Sequence, residues 1–429
     1  MVNKIINTKL CPVLSAKIMS QSMEEVPVIV QFNNNASNLK KNINNLSNSI
    51  KSNLPLIDGF AGLMSTETIY RIVGNPEVNY ISFDSRVYTL LDIATPTMDA
   101  YFPHDKGYEG KGITVAVIDT GVAPHYDLTK PTNRIIGFKD LVNNKETPYD
   151  DNGHGTHVAG IIAGNGFSSN GKYMGVAPKA NILGIKALDQ YGGGSSSDII
   201  AAISYIIETK DRYNTKIINL SLGTPANNSC EKDPICKAVD AAVKAGLIVI
   251  TAAGNSGPAE GTILSPGISK NAITVGAVDD KRTIDPSDDT IAPFSSRGPT
   301  MEGIMKPDIV APGVNIKSLS NIKLDNYSSL SGTSMATPLV SGSVALLFNK
   351  YGNLSPQDLK DKIISSCIDL KESKKNQGAG MLNLKLLFED PSTKAEGEKS
   401  ESKNITTENE FFETLLILLI VFFLLDSRF

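Results

Sequence analysis

The sequence predicts an α/β fold: a doubly wound, mainly parallel sheet flanked by helices, with a small α+β module ahead of it. Three observations carry this prediction. ITVAVID, NILGIKAL, KIINLSL, GLIVITAAGN, AITVGAVD and DIVAPG are nearly continuous runs of Val, Ile, Leu and Ala. Strands buried on both faces of a parallel sheet read this way, whereas a strand with one wet face alternates. Helix-period segments such as SSDIIAAISYIIETK and KAVDAAVKAG lie between the runs, and strand alternating with helix is the signature of a doubly wound sheet. Finally, 429 residues exceed one ordinary domain, so a main domain with attachments is expected.

The chain divides into five stretches. Residues 1–24 form an amino-terminal extension without the continuous apolar core of a secretory signal. Residues 25–90 open on VPVIVQF and close on PEVNYISFDSRVYTLL. These are two short strands around helix-spaced apolar positions, hence a small α+β domain. Residues 91–388 hold the main domain, and residues 389–410 have the polar composition of a linker. In the last stretch, residues 411–429, every residue from Leu415 to Leu425 is apolar. A spanning helix needs about 20 such residues. Two readings therefore stay open for the tail: a helix docked on a hydrophobic surface or partner, and a membrane anchor.

Composition narrows the function. A hydrophobic share of 41% and a charged share of 20% suit a globular protein. The net charge of −4 comes without any stripe of Lys and Arg, which excludes nucleic acid as a main partner. Four scattered cysteines suit a reducing compartment, so a cytoplasmic location is expected, with membrane association if the tail anchors. Cys230 and Cys236 flank a short loop and would bridge if oxidised, but free thiols are the simpler expectation.

Open α/β sheets build their sites at the carboxyl ends of strands, so reactive side chains there come first. ITVAVID delivers Asp119 at its end, followed by the turn Thr120-Gly121. A carboxylate after such an apolar run needs partners, because an unpaired buried charge is costly. DDNGHGTHVAGIIAG sets His154 at the start of a helical pattern and His157 about one turn deeper. Their i, i+3 spacing without an intervening Glu differs from the zinc-helix pattern, so one general base and one packed histidine fit better than a metal pair. SGTSMATPLVSGSVALL stands Ser334 where a helix begins, facing amides and a positive dipole end. Each motif alone has a plainer reading as a cap or turn.

Together they read otherwise. VAVIDTG, NGHGTHVAG and SGTSMATP resemble the three signature segments of the subtilisin-like serine proteases, in that family's order. ITAAGNSG adds a fourth, placing Asn255 where the family keeps its oxyanion-stabilising amide. The resemblance covers about residues 94–388. It implies a serine endopeptidase with Asp119, His154 and Ser334 as triad, acting on polypeptides through an acyl-enzyme and needing no cofactor for catalysis. Ser221-Leu222-Gly223 resembles the strand that pairs with the substrate backbone, and Ala252-Ala253-Gly254 the opposite wall of the specificity pocket. Thr262 to Gly267 resembles the pocket base, with Leu264 where a glycine is common. Residues 25–90 resemble the family's propeptides, which act as intramolecular inhibitors. The comparison puts self-cleavage between Val87 and Leu91, with Leu90 before the cut. Asp127 resembles one ligand of a structural calcium, although the loop from Asn165 to Met174 does not match the rest of that site. Pro338-Leu339-Val340 departs from the family's Pro-His-Val. The missing signal peptide and YDDNGHGTHVAGIIAGNG are similar to intracellular bacterial, AprX-type members. Two alternatives remain: a processing protease with one client, and a silent relative that binds or signals.

Overall fold

The computed structural model describes residues 9–11, 14, 15, 18, 25–33, 49–84, 86–89, 97–99, 101–281, 283 and 285–389. The linker and the apolar tail lie outside the described residues. Residues up to Leu384 form one compact unit; of a second, from Lys385 onward, only the end of a short helix (Leu384–Phe388) is described. Among the described residues no helix is long and apolar enough to cross a membrane.

The amino-terminal module is a four-stranded antiparallel sheet made of β1 (Glu25–Phe32), β2 (Ser49–Leu54), β3 (Gly59–Ser65) and β4 (Val78–Phe83), in the order β2-β3-β1-β4. Helix α1 (Thr66–Val73) connects β3 to β4, its first turn capped by the Ser65 side chain, which accepts from Thr68 N–H. The sequence announced the first and last of these strands. It hid β2 and β3, whose SIKSNL and GFAGLMS are too short and too rich in Ser and Gly to stand out. Described residues of the amino-terminal extension join this module. Leu10 bridges Ile81, Cys11 N–H donates to Ile81 O at 3.1 Å, and Leu10, Cys11 and Leu14 are buried in the module's own core. Beyond β4 the chain continues as β5 (Arg86–Thr89).

All six apolar runs form strands of the main sheet: β6 (Thr114–Asp119), β8 (Asn181–Lys186), β10 (Thr215–Leu220), β12 (Ile248–Ala252), β13 (Ile273–Asp279) and β15 (Ile309–Pro312). They run parallel, and the full order is β18-β19-β15-β13-β12-β10-β6-β8-β7. Strand β7 (Ile135–Asp140) forms one edge; β18 (Cys367–Ile368) and β19 (Met381–Leu382) close the other, and β14 (Thr290–Ile291) pairs antiparallel with β13. Edge strand β7 escaped the sequence reading because its middle is only half-buried. The predicted helices are α3 (Ser196–Tyr213) and α4 (Pro234–Lys244). Two helices carry motifs: α2 (His154–Ala163) and α5 (Thr333–Tyr351). The chain enters the sheet at β6, builds β7 and β8 on one side, then β10 onward on the other. That reversal between β6 and β10 leaves a crevice at their carboxyl ends.

The two modules share a hydrophobic core. Ile29, Leu54, Ile57 and Ala61 of the amino-terminal sheet pack with Ile199, Ile203 and Ile206 of α3 and Val239 of α4. Polar bonds fix the register of this face. Asp84 accepts the backbone N–H and hydroxyl of Ser197 at 2.9 and 2.6 Å, meeting the positive end of α3. Lys51 reaches Ser197 and Asp198, and Tyr80 donates to Asn228 at 2.8 Å.

Candidate active site

Strand β6 is wholly buried and ends on Asp119, itself 0% exposed. Its carboxylate is held by Thr120 N–H at 2.7 Å and by the His154 ring, whose Nδ1 lies 2.8 Å from Oδ1. His154 is the first residue of α2, so its position depends on how that helix starts. Gly153 caps it with φ 106°, a conformation suited to glycine. Gly155 is required for closeness: a Cβ there would sit 2.1 Å from Gly121 O and 3.1 Å from Asp119 Cβ. The sequence reading missed the anchor of this junction, Asp150. One of its oxygens accepts Thr120 Oγ1, Asn152 N–H and Gly153 N–H at 2.8–3.0 Å; the other accepts Thr156 N–H and Oγ1 at 2.9 and 2.7 Å. It thus ties the start of the His154 helix to the end of the Asp119 strand. Its signal was the aspartate four residues before the histidine.

His157 is the packed histidine of the pair. Its Nε2 lies 3.1 Å from Ile316 O, and burial, with His154 nearby, pushes its pKa down to about 3. It is neutral and structural.

Ser334 stands in the first turn of α5, where backbone N–H groups have no partner within the helix. Proline at 338 has no N–H to give the Ser334 carbonyl one turn back; that carbonyl instead accepts Ser221 Oγ at 2.9 Å. Ser334 Oγ in turn donates to Ser221 O at 3.1 Å. Ser334 is therefore bolted to the strand after β10, with its hydroxyl turned toward that strand. Asn255 lies on the other side. Its Oδ1 accepts Thr333 N–H and Oγ1 at 3.0 and 3.1 Å, which leaves its NH2 as the face turned away from the helix.

The predicted wall Ser221-Leu222-Gly223 lies beside Ser334, and Leu222–Gly223 forms a short strand, β11. Strand β5 pairs antiparallel with it, Thr89 opposite Leu222 and Tyr88 opposite Gly223. On its other side β5 pairs with β9 (Gly193–Ser195), a second wall that the sequence reading missed. Its signal was the glycine run of YGGGS. An extended segment thus lies as the middle strand of three, its main chain paired on both sides. Ala252, Ala253 and Gly254 do not pair with it; they lead from β12 to Asn255 and stand across from Gly223. Leu90, the expected residue before the cut, lies outside the described residues.

A buried Asp–His pair, a serine at a helix start and two strands that clasp an extended segment are the kinds of group that acyl transfer on peptides uses. The comparisons agree. Residues 110–383 match the model of the subtilase family of peptidases. The chain belongs to the subtilase family. It is 44% identical over 326 residues to the serine protease AprX of Bacillus subtilis, covering 71% of this chain and 73% of that one. Subtilisin DY of Bacillus licheniformis is 36% identical over 65% of this chain and 92% of its own. Among solved structures, sphericase superposes with a TM-score of 0.56 at 35% identity, over 64% of this chain and 92% of that one. The subtilisin-like α/β fold expected from sequence is therefore the fold observed. The chain is a hydrolase of the serine protease class; proteases of this family act on polypeptides and draw on no cofactor for catalysis.

The structural calcium expected at Asp127 meets a different arrangement. Both carboxylate oxygens already accept protein donors, Ser168 N–H at 2.8 Å and Tyr327 OH at 2.7 Å. Beside it Arg134, 8% exposed, gives its guanidinium to the carbonyls of Asp127, Ala163 and Ala180. A permanent internal cation gathers these oxygens, and burial lowers its pKa only to about 10. Among the described residues no three His, Cys, Asp or Glu side chains converge to hold a metal.

Proposed function

We propose that this subtilase is an endopeptidase that cuts its own chain near Leu90 and is then held by the amino-terminal module as an intramolecular inhibitor. The observation that carries this reading is the pairing of β5. The segment following the module lies between β9 and β11 and runs toward Ser221, the residue bonded to Ser334. Thr89 faces Leu222, and Ser221 is the next residue of the partner wall. This register, which sets Thr89 one residue short of Ser221, is what supports a cut near residue 90. The residues at hand divide the chemistry as follows. A change of the Ser334 χ1 rotamer turns Oγ from Ser221 O to the His154 ring. His154 Nε2 takes the hydroxyl proton as Oγ attacks the carbonyl carbon. The oxyanion formed is met by Asn255 NH2 and the Ser334 backbone N–H. His154 then gives its proton to the leaving amine, leaving an ester on Ser334 that water hydrolyses by the same steps in reverse. Asp119 holds Nδ1–H and so makes Nε2 the basic nitrogen of the ring.

A cytoplasmic location belongs to the same reading, supported by four cysteines that are all free thiols. Membrane association rests on the tail alone and is tested by flotation of the full chain with vesicles.

The test of self-cleavage is intact-mass analysis of wild type beside Ser334→Ala. The reading expects wild type to lose about 90 amino-terminal residues while the variant stays whole. If both stay whole, the module is a retained regulator. If both are cut alike, another protease did it and self-maturation fails.

A further inference from the structure

We propose that Lys186 is a positioning residue for the Asp119–His154 pair: its buried ammonium ties the turn after β6 to the loop before α2 and sets the pH above which His154 acts as a base. The proposal rests on the endopeptidase reading and adds a residue to it. Lys186 ends β8 and is the Cα partner of Asp119 in the parallel pairing with β6. Paired residues of neighbouring strands point to one face of a sheet, so the lysine stem leaves on the side of the Asp119 carboxylate. Past Lys186 the chain turns over Asp119, whose carbonyl accepts Ala187 and Leu188 N–H at 2.9 and 3.1 Å. The lysine is 0% exposed, and its ammonium is fully engaged. Nζ donates to Thr120 O at 2.7 Å, to Leu188 O at 2.8 Å and to Asp151 Oδ1 at 2.6 Å.

Two of these acceptors reach the pair directly. Thr120 supplies the N–H that holds Asp119 Oδ1, and its Oγ1 accepts Gly155 N–H at 3.0 Å, beside His154. Asp151 lies on the approach to α2. One ammonium thus fixes the peptide after the strand and the entry to the helix together. Its charge acts on the same pair, because the bonds from Nζ through Thr120 keep it within about 10 Å of Asp119 Oδ1. An apolar side chain would fill this space without the desolvation cost of an ammonium. The carboxylates around Lys186 are Asp119 on β6, Asp140 on β7, Asp150 and Asp151 before α2, and Asp189 after β8. Lys139 alternates to the other face of the sheet. Burial keeps Tyr149, raised to about 12, and His157, lowered to about 3, uncharged at neutral pH. These carboxylates favour the imidazolium of His154; the Lys186 charge set among them favours the neutral ring that takes a proton.

The experiment is the pH dependence of kcat/KM on a fluorogenic peptide for wild type, Lys186→Met and Asp151→Asn, with urea unfolding of each in a Ser334→Ala background. The acid limb of that profile reports the base of the unbound enzyme. Removing the cation favours the imidazolium, so Lys186→Met is expected to move the limb up by about 0.5–1 pH unit. Its kcat at the optimum should fall on the order of tenfold, with KM within about twofold of wild type. Asp151→Asn keeps an oxygen for Nζ and removes the opposing charge, so its limb should move down by at least about 0.3 unit. A lysine that only braced the fold would lower kcat and leave the limb in place. An unmoved limb in both variants, or limbs that move the same way, overturns the proposal. If Lys186→Met does not fold or mature, the direction found for Asp151→Asn decides. Wild type that neither cleaves the peptide nor takes a fluorophosphonate label on Ser334 overturns the endopeptidase reading, and this proposal with it.

Discussion

Gly155→Ala isolates the distance between the His154 helix and the Asp119 strand. The glycine's φ is ordinary, so alanine is tolerated by the backbone, and its helix propensity is better by about 1 kcal/mol. Only space opposes the change. The new Cβ would stand 2.1 Å from Gly121 O and 3.2 Å from Asp119 Oδ1. A carbon–oxygen contact rests near ~3.3 Å, so the start of α2 has to retreat by about 1.2 Å from the turn after β6. His154 is the neighbouring residue and retreats with it, stretching its 2.8 Å bond to Asp119. A displacement of about 1 Å at reacting groups costs on the order of 100-fold in rate. The assay is kcat/KM on a fluorogenic peptide, with urea unfolding of the same substitution in a Ser334→Ala background to show that the fold survives. A variant within about threefold of wild type would refute the claim that this contact sets the histidine's position.

Substitutions at three further positions probe the rest of the fold. Asp150→Ala removes the acceptor of five hydrogen bonds at the start of α2 and is expected to cost about 3 kcal/mol in urea unfolding; Asp150→Asn, which keeps one carbonyl oxygen, should cost less, and equal losses would point to charge alone. Arg134→Met leaves three buried carbonyls without their donor at about 2–4 kcal/mol, while EDTA should leave the wild-type melting temperature unchanged; a melting point lowered by EDTA and restored by calcium would sink the view that Arg134 is the resident cation. Asp289 is 8% exposed with neither carboxylate oxygen hydrogen-bonded among the described residues, and burial, then Asp280 and Asp288, push its pKa up to about 6. An unfolded carboxyl titrates near ~3.9, so between these values the folded state holds the extra proton and stability falls as pH rises through the window. Asp289→Asn should therefore stabilise by about 1–2 kcal/mol at pH 7, after allowance for solvent screening. Below pH ~4 it should change nothing; a gain that persists there would assign the effect to packing.

What could be read from the sequence follows from how each feature is encoded. The six central strands are buried on both faces, so hydrophobicity alone marks them; β7 and β9 are an edge and a glycine run, and only their neighbours make them strands. Asp119, His154 and Ser334 stood out as candidates because each sits in a local motif at a strand end or a helix start. Asp150 and Arg134 act across the fold instead. Nothing local in TNRII says that its arginine will reach the carbonyls of Ala163 and Ala180. Residue 338 combines both kinds of information. A proline six residues into a predicted helix is locally a warning that the helix breaks. Yet α5 runs through it to Tyr351, with Pro338 and Ser334 both buried. The bond it deletes is the one to the carbonyl of Ser334. That carbonyl is released to the Ser221 hydroxyl, which Asn219 Nδ2 also holds at 3.0 Å, and Asn219 Oδ1 in turn accepts Ser341 Oγ at 2.8 Å. The helix's local defect is therefore what couples Ser334 to the strand that carries Ser221. On this argument Pro338→Ala should fold well and lengthen the helix ladder, but it offers the Ser334 carbonyl a competing donor and loosens Ser221. The expected result is a rise in KM larger than the fall in kcat, and unchanged kinetics would show that the hydroxyl bond alone is enough.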